Sequence, residues 1–207
     1  MRKTENRQLR AARPWPLVLA SGSPHRAQLL RQAGFDFVVR KSPFREGAPR
    51  PAVVPIRVWP VCLAFAKAQA VHTAAAVDAI VIGADTIVVV DGLILNKAGR
   101  RAQALRMLRR LSGRRHQVIT GLALLAGRRC RLASAVSICR MRKLTRPQIE
   151  AYLNTGLWKD KAGAYGLQDG DDPFVELLEG EWSNVVGLPL RVFKRELRLL
   201  RAEIAAR

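Results

Sequence analysis

The sequence predicts an α/β protein built on a mixed sheet within one domain, and three observations carry that prediction. Apolar runs of strand length alternate with helix-period segments from Leu17 to the C-terminal end. Asp91-Gly92 and Gly127 interrupt long β-branched runs in the manner of hairpin turns, so part of the sheet must be antiparallel. The 207 residues are enough for one substantial core, with room for two lobes.

Residues 1–16 are polar and basic and end in Pro14 and Pro16, the composition of an arm outside the fold, so the domain is expected over 17–207. Leu17 to Ser21 is a short buried-strand pattern. Pro24 to Ala33 follows as a helix, with Leu29 and Leu30 on one face and Gly34 at its C-terminal stop. FDFVV alternates as a strand. After the proline-rich stretch Pro43 to Pro55, VCLAFAKAQAVHTAAAV reads as a helix buried on most of its circumference, with Lys67 its conspicuous charge. AIVIGADTIVVVDGLIL is a long strand that turns at Asp91-Gly92. RAQALRMLRRLSG is helical, with Leu105, Leu108 and Leu111 inward, and Gly113 stops it. Two antiparallel strands meet at Gly127, Thr145 caps a helix through Tyr152, and AGAYGLQ and FVELLEG supply strands or loop. Leu190 to Ala206 closes the chain as an amphipathic helix.

Composition narrows the function classes. No stretch reaches the ~18 uninterrupted apolar residues of a spanning helix, and the apolar run after the basic start ends too early for a signal peptide. A cytoplasmic protein without membrane contact is expected. Three cysteines without CxxC spacing and three scattered histidines suggest neither a disulfide framework nor a zinc site. The formal charge of +20 would concentrate any polyanion near the surface, and the basic arm suits nonspecific contact with nucleic acid. On helices, such charge runs also serve simply as solvated faces.

Two stretches invite chemistry. In SGSPHR, at a strand-to-helix turn, Ser21, Ser23 and Arg26 can offer hydroxyls and a fork of donors to phosphate oxygens beside the positive end of the helix dipole. Alternatively, Ser23 is an N-cap and Pro24 the favoured first helical residue. In VIGADTIVVV, Asp85 lies inside an apolar strand and requires a cationic or metal partner, which makes it the leading catalytic candidate. The other reading is an acid in a structural network. Lys67 and Lys97 gain meaning in combination, and Glu46 offers a second carboxylate for Mg2+ or Mn2+, cations that favour hard oxygen ligands. P-loop, Rossmann, GxSxG and HExxH signatures are absent.

The segments LASGSPHRAQLL, VIGADTIVVVDGLILNKAG, LRRLSGRRHQVITGLAL, DKAGAYGLQ and NVVGLPL, in this order and spacing, resemble the Maf family of nucleoside triphosphate pyrophosphatases. The resemblance runs from Leu17 to about Lys194. It implies a two-lobed α/β fold, with a mixed twisted sheet flanked by helices and a central cleft. It also implies metal-dependent hydrolysis of a nucleoside triphosphate to the monophosphate and pyrophosphate. On that match, Asp85 takes the place of the proton acceptor, and Ser21, Arg26, Lys67 and Lys97 stand at phosphate-handling positions. Glu46 matches an acid for the metal, and Thr86 and Gln168 fall at positions tied to base selection.

DKAGAYGLQ looks like the branch acting on dTTP and UTP rather than 7-methyl-GTP. His25 departs from the pattern: the first branch usually has arginine there and the second often tryptophan. An imidazole can stack or donate one hydrogen bond but lacks the five-donor fork, a difference that bears on base preference. The resulting expectation is an enzyme that removes non-standard nucleotides, with a homodimer as its assembly. The rivals are a 7-methyl-GTP pyrophosphatase and a basic nucleic-acid-binding or division-regulating protein with a vestigial nucleotide site. The scarcity of aromatics among the basic runs argues against the last.

Overall fold

A computed structural model of the chain describes residues 15–45, 49–73, 79–167 and 174–206. The basic arm apart from its last two residues, Glu46 and Gln168 lie outside these. The elements in order are β1 (Leu17–Leu19), α1 (Pro24–Gln32), β2 (Phe37–Val39), α2 (Trp59–His72), β3 (Ile80–Val90), β4 (Leu93–Leu95), α3 (Arg101–Leu111), β5 (Arg115–Ala126), β6 (Arg129–Met141), α4 (Arg146–Thr155), β7 (Val175–Glu179), α5 (Trp182–Val186) and α6 (Leu190–Ala205).

Seven strands form one open mixed sheet of order β2-β1-β3-β5-β6-β7, with β4 also on β3. The first three strands of that order are parallel; the β3–β4, β3–β5, β5–β6 and β6–β7 pairs are antiparallel. The expected turns are present: Asp91 and Gly92 both have positive φ between β3 and β4, and Gly127 (φ 57°) turns β5 into β6. Thr145 and Gln148 form a reciprocal capping box at the start of α4.

The sheet is split along one edge of β3. Its Val81–Val89 span lies against β5, which occupies one whole edge. On the other edge, β1 pairs with Ile80 to Ile82 and β4 with Val88 to Val90. Gly83 to Ile87 therefore have no strand on that side, and a cleft opens in the fork.

Alternation along β3 sorts the packing. Ile80, Ile82 and Ala84 pack with α1 and with Phe193, Leu197 and Leu200 of α6, whose i, i+4, i+7 spacing matches the expected amphipathic stripe. Farther along the same strand, Val88 and Val90 join a second core built by β4, α3 and α4. These two cores are the two lobes. On the opposite sheet face lies α2, through Ala64, Ala68 and Val71.

That helix is not buried around most of its girth. Cys62 and Phe65 are exposed, because α2 crosses only one face of the sheet. The crossing is close: a Cβ on Gly83 would lie 2.1 Å from the Ala64 carbonyl oxygen, and one on Gly121 2.2 Å from the Pro60 carbonyl carbon. Glycine within these strands marks a backbone contact that no larger residue permits.

Candidate active site

Both sides of the fork contribute to one cleft of about 860 Å³. Ser21, Ser23, His25 and Arg26 come from the end of β1 and the first turn of α1, Lys67 from α2, Asp85 and Thr86 from β3, and Lys97 from just beyond β4. Every site residue expected from the sequence and described here lines this space.

Asp85 is 5% exposed and Lys67 8%, and the Lys67 Nζ donates to Asp85 Oδ1 at 2.5 Å. The glycine-permitted approach of α2 makes this pair: Gly83 lets Ala64 and Ala68 rest on the sheet, and Lys67, one turn from Ala64, reaches the next residue on that face of β3. Each buried group finds its counter-charge in the other, the condition under which such a pair is tolerated away from water.

On the other face of β3, Arg26 organises the cleft wall. Its Nε donates to the Gly187 carbonyl at 2.7 Å, Nη1 to Ser21 Oγ at 3.1 Å and Nη2 to Thr86 Oγ1 at 3.1 Å. Thr86 shares a 2.9 Å bond with Thr120, whose hydroxyl bonds the Asn184 carbonyl. The planar guanidinium thus ties α1, β3 and the end of α5 together, a geometry an ammonium could not match. Gly187 adopts φ 118°, and a Cβ there would stand 3.3 Å from Arg26 Nε and from Thr86 Oγ1. Asn184 completes the support by donating to Val118 O and Ser137 Oγ.

Ser23 occupies the N-cap position of α1, yet its side chain makes no capping bond, and Pro24 starts the helix. Nor does packing demand glycine at 22, where a Cβ would meet only the Lys41 side chain at 3.4 Å.

Several cleft residues were not singled out from the sequence as site residues. Lys41 follows β2, and Lys159, Asp160, Lys161 and Tyr165 belong to a loop that runs beside β4 through the Lys97–Ala162 bridge. Asp160 and Ala164 hold positive φ in that loop. The quoted DKAGAYGLQ segment contained this signal. The cleft lining carries six Lys or Arg side chains against Asp85 and Asp160, a cationic surface suited to a polyphosphate.

Beneath the floor, His116 Nε2 lies 2.6 Å from the Tyr165 hydroxyl, and burial pushes the His116 pKa down to about 4. Among the described residues, no group of three His, Cys, Asp or Glu is placed to hold a metal. Asp85 remains a hard oxygen donor at the cleft floor, which fits a cation that takes most of its ligands from phosphates and water.

Residues 16–200 match the family model described as Maf-like protein. A dTTP/UTP pyrophosphatase of Symbiobacterium thermophilum is 48% identical over 177 residues, covering 84% of this chain and 88% of that protein. One from Moorella thermoacetica is 43% identical over 176 residues, covering 84% and 89%. Another, from Salinibacter ruber, is 43% identical over 192 residues, covering 91% and 93%.

Proposed function

The chain belongs to the Maf family, and from that premise we propose that it hydrolyses dTTP and UTP, or modified relatives of them, to the monophosphate and pyrophosphate. The observation that carries this reading is the buried Lys67–Asp85 pair at the floor of a cationic cleft.

A triphosphate brings about four negative charges near pH 7, which must be offset before an oxygen nucleophile can approach phosphorus. Lys97, Lys67 and the Ser21–Arg26 turn supply that offset, while Lys41, Lys159 and Lys161 extend it along the cleft. Asp85 accepts a proton from water as the water oxygen attacks the α-phosphorus. The bond from the α-phosphorus to the bridging oxygen breaks, and pyrophosphate leaves with the electron pair. Lys67 holds the carboxylate in position throughout.

Asp85 is also the residue that would hold Mg2+ or Mn2+, with Glu46 as the second expected ligand; when bound, the cation would offset phosphate charge. Base selection is assigned to Thr86, held by Arg26 and Thr120, together with His25 on the same cleft wall and Gln168. Three free thiols suit a reducing cytoplasm, where the nucleotide pool lies.

The test is a panel of nucleoside triphosphates incubated with Mg2+ or Mn2+ in ¹⁸O-water. Pyrophosphate release from UTP and dTTP, with label in the monophosphate, is expected. Orthophosphate release, a preference for 7-methyl-GTP or a silent panel would overturn the reading.

A further inference from the structure

The far end of the second lobe carries an arginine-rich groove separate from the cleft. Gly113, Arg140 to Lys143 and Phe174 to Glu176 line a depression of about 490 Å³. Arg109 and Arg110, in the last turn of α3, precede the lining Gly113 in the chain. The backbone ties these segments together: Gly113 N–H donates to Arg142 O, Met141 N–H to Arg114 O and Arg142 N–H to Phe174 O. Arg115 is paired in register with Arg140.

Seven exposed cations lie on these segments, Arg109, Arg110, Arg114, Arg115, Arg140, Arg142 and Lys143, of which Arg140, Arg142 and Lys143 line the groove itself. Arg114 pairs with Asp91 and Arg140 with Glu176. Among the described residues the other five have no acidic partner. Elsewhere some arginines are paired, Arg131 with Glu196 and Glu203, Arg101 with Glu150 and Arg191 with Glu181, while others such as Arg106 and Arg198 have no acidic partner among the described residues. Like charges held this close repel one another, and a bound polyanion would relieve that repulsion. The guanidinium of Arg142 lies 4.7 Å from the centre of the Phe174 ring while remaining exposed, so a flat cationic surface caps the groove. Met141 and Val175 add apolar wall.

We propose that this groove binds single-stranded RNA. The unpaired arginines engage successive phosphates, and an unstacked base lies on the Arg142 plane, a mode closed to duplexes, whose bases remain stacked. Arginine suits the phosphate contacts because its fork donates in pairs. The site lies outside the catalytic cleft, so bound RNA and a bound nucleotide do not compete.

The test follows a fluorescent single-stranded RNA of about 20 nucleotides by anisotropy, with the whole chain and with R110Q/R115Q/R142Q/K143Q, between 50 and 200 mM salt. Three lost phosphate contacts and one lost stacking plane should weaken binding at least tenfold and lower the slope of log K against log salt by about 2. UTP hydrolysis should be unchanged, and saturating UTP should not displace the RNA. Equal affinity and slope in the variant, displacement by UTP, or equal binding of duplex RNA or anionic phosphatidylserine vesicles would overturn the proposal. Loss of all binding on deletion of residues 1–16, with the groove intact, would do the same.

Discussion

Lys67 and Asp85, eighteen residues apart in sequence, meet at 2.5 Å where α2 crosses the open fork of β3. Neither is tolerable alone in so buried a place. Lys67→Met should therefore lower stability by about 3 kcal/mol in urea unfolding, the scale expected when one member of a buried pair is removed. Lys67→Met/Asp85→Asn should recover part of that loss, because the uncompensated charge is gone. Additive losses in the double variant would show that the two side chains are not coupled.

Glycine makes this meeting possible. In Gly121→Ala the new methyl would lie 2.2 Å from the Pro60 carbonyl carbon and 2.3 Å from the Val61 nitrogen, both backbone atoms, so α2 must move. A loss of about 3 kcal/mol, at the upper end of overpacking, is expected together with a fall in UTP turnover. An alanine variant as stable and active as the parent would contradict the close crossing.

Much of the frame was legible in the sequence. Asp91-Gly92, Gly127 and the Thr145 cap each announce their element through local chemistry. The five-residue α5 was not legible, since it is shorter than two helical turns and shows no 3.6-residue period. Strand β1 extends only to Leu19, because the chain must leave the sheet for Ser21 to enter the cleft. The cleft candidates themselves came from residue chemistry and family resemblance. The Lys67–Asp85 contact and the Arg26–Gly187 bond depend on tertiary crossings that periodicity does not encode.

Acid should reveal His116. Burial holds its pKa at about 4 against 6.5 for a free imidazole, so the folded state favours the neutral ring. The stability due to this preference is fully present above pH 6.5 and disappears as pH falls toward 4. Between pH 7 and pH 4, the parent should lose on the order of 3 kcal/mol more than His116→Gln in urea unfolding. Parallel losses would contradict a buried neutral histidine.

Base preference should respond to His25. It lines the cleft in the first turn of α1, next to the Arg26 that fixes Thr86. His25→Arg should sharpen the preference for UTP and dTTP over CTP and 7-methyl-GTP by about 1 to 2 kcal/mol, the scale of a charge-assisted hydrogen bond. Specificity constants measured for both proteins decide it, and unchanged ratios would remove His25 from base selection.

The central claim is that Asp85 takes the proton from the attacking water. The most direct measurement is the single-turnover rate of UTP cleavage by Asp85→Asn beside the parent enzyme, in the same metal and with folding verified by circular dichroism. An amide of nearly the same shape cannot accept that proton, so the rate should fall at least ~100-fold. A folded Asp85→Asn protein cleaving UTP at close to the parent rate would contradict the account.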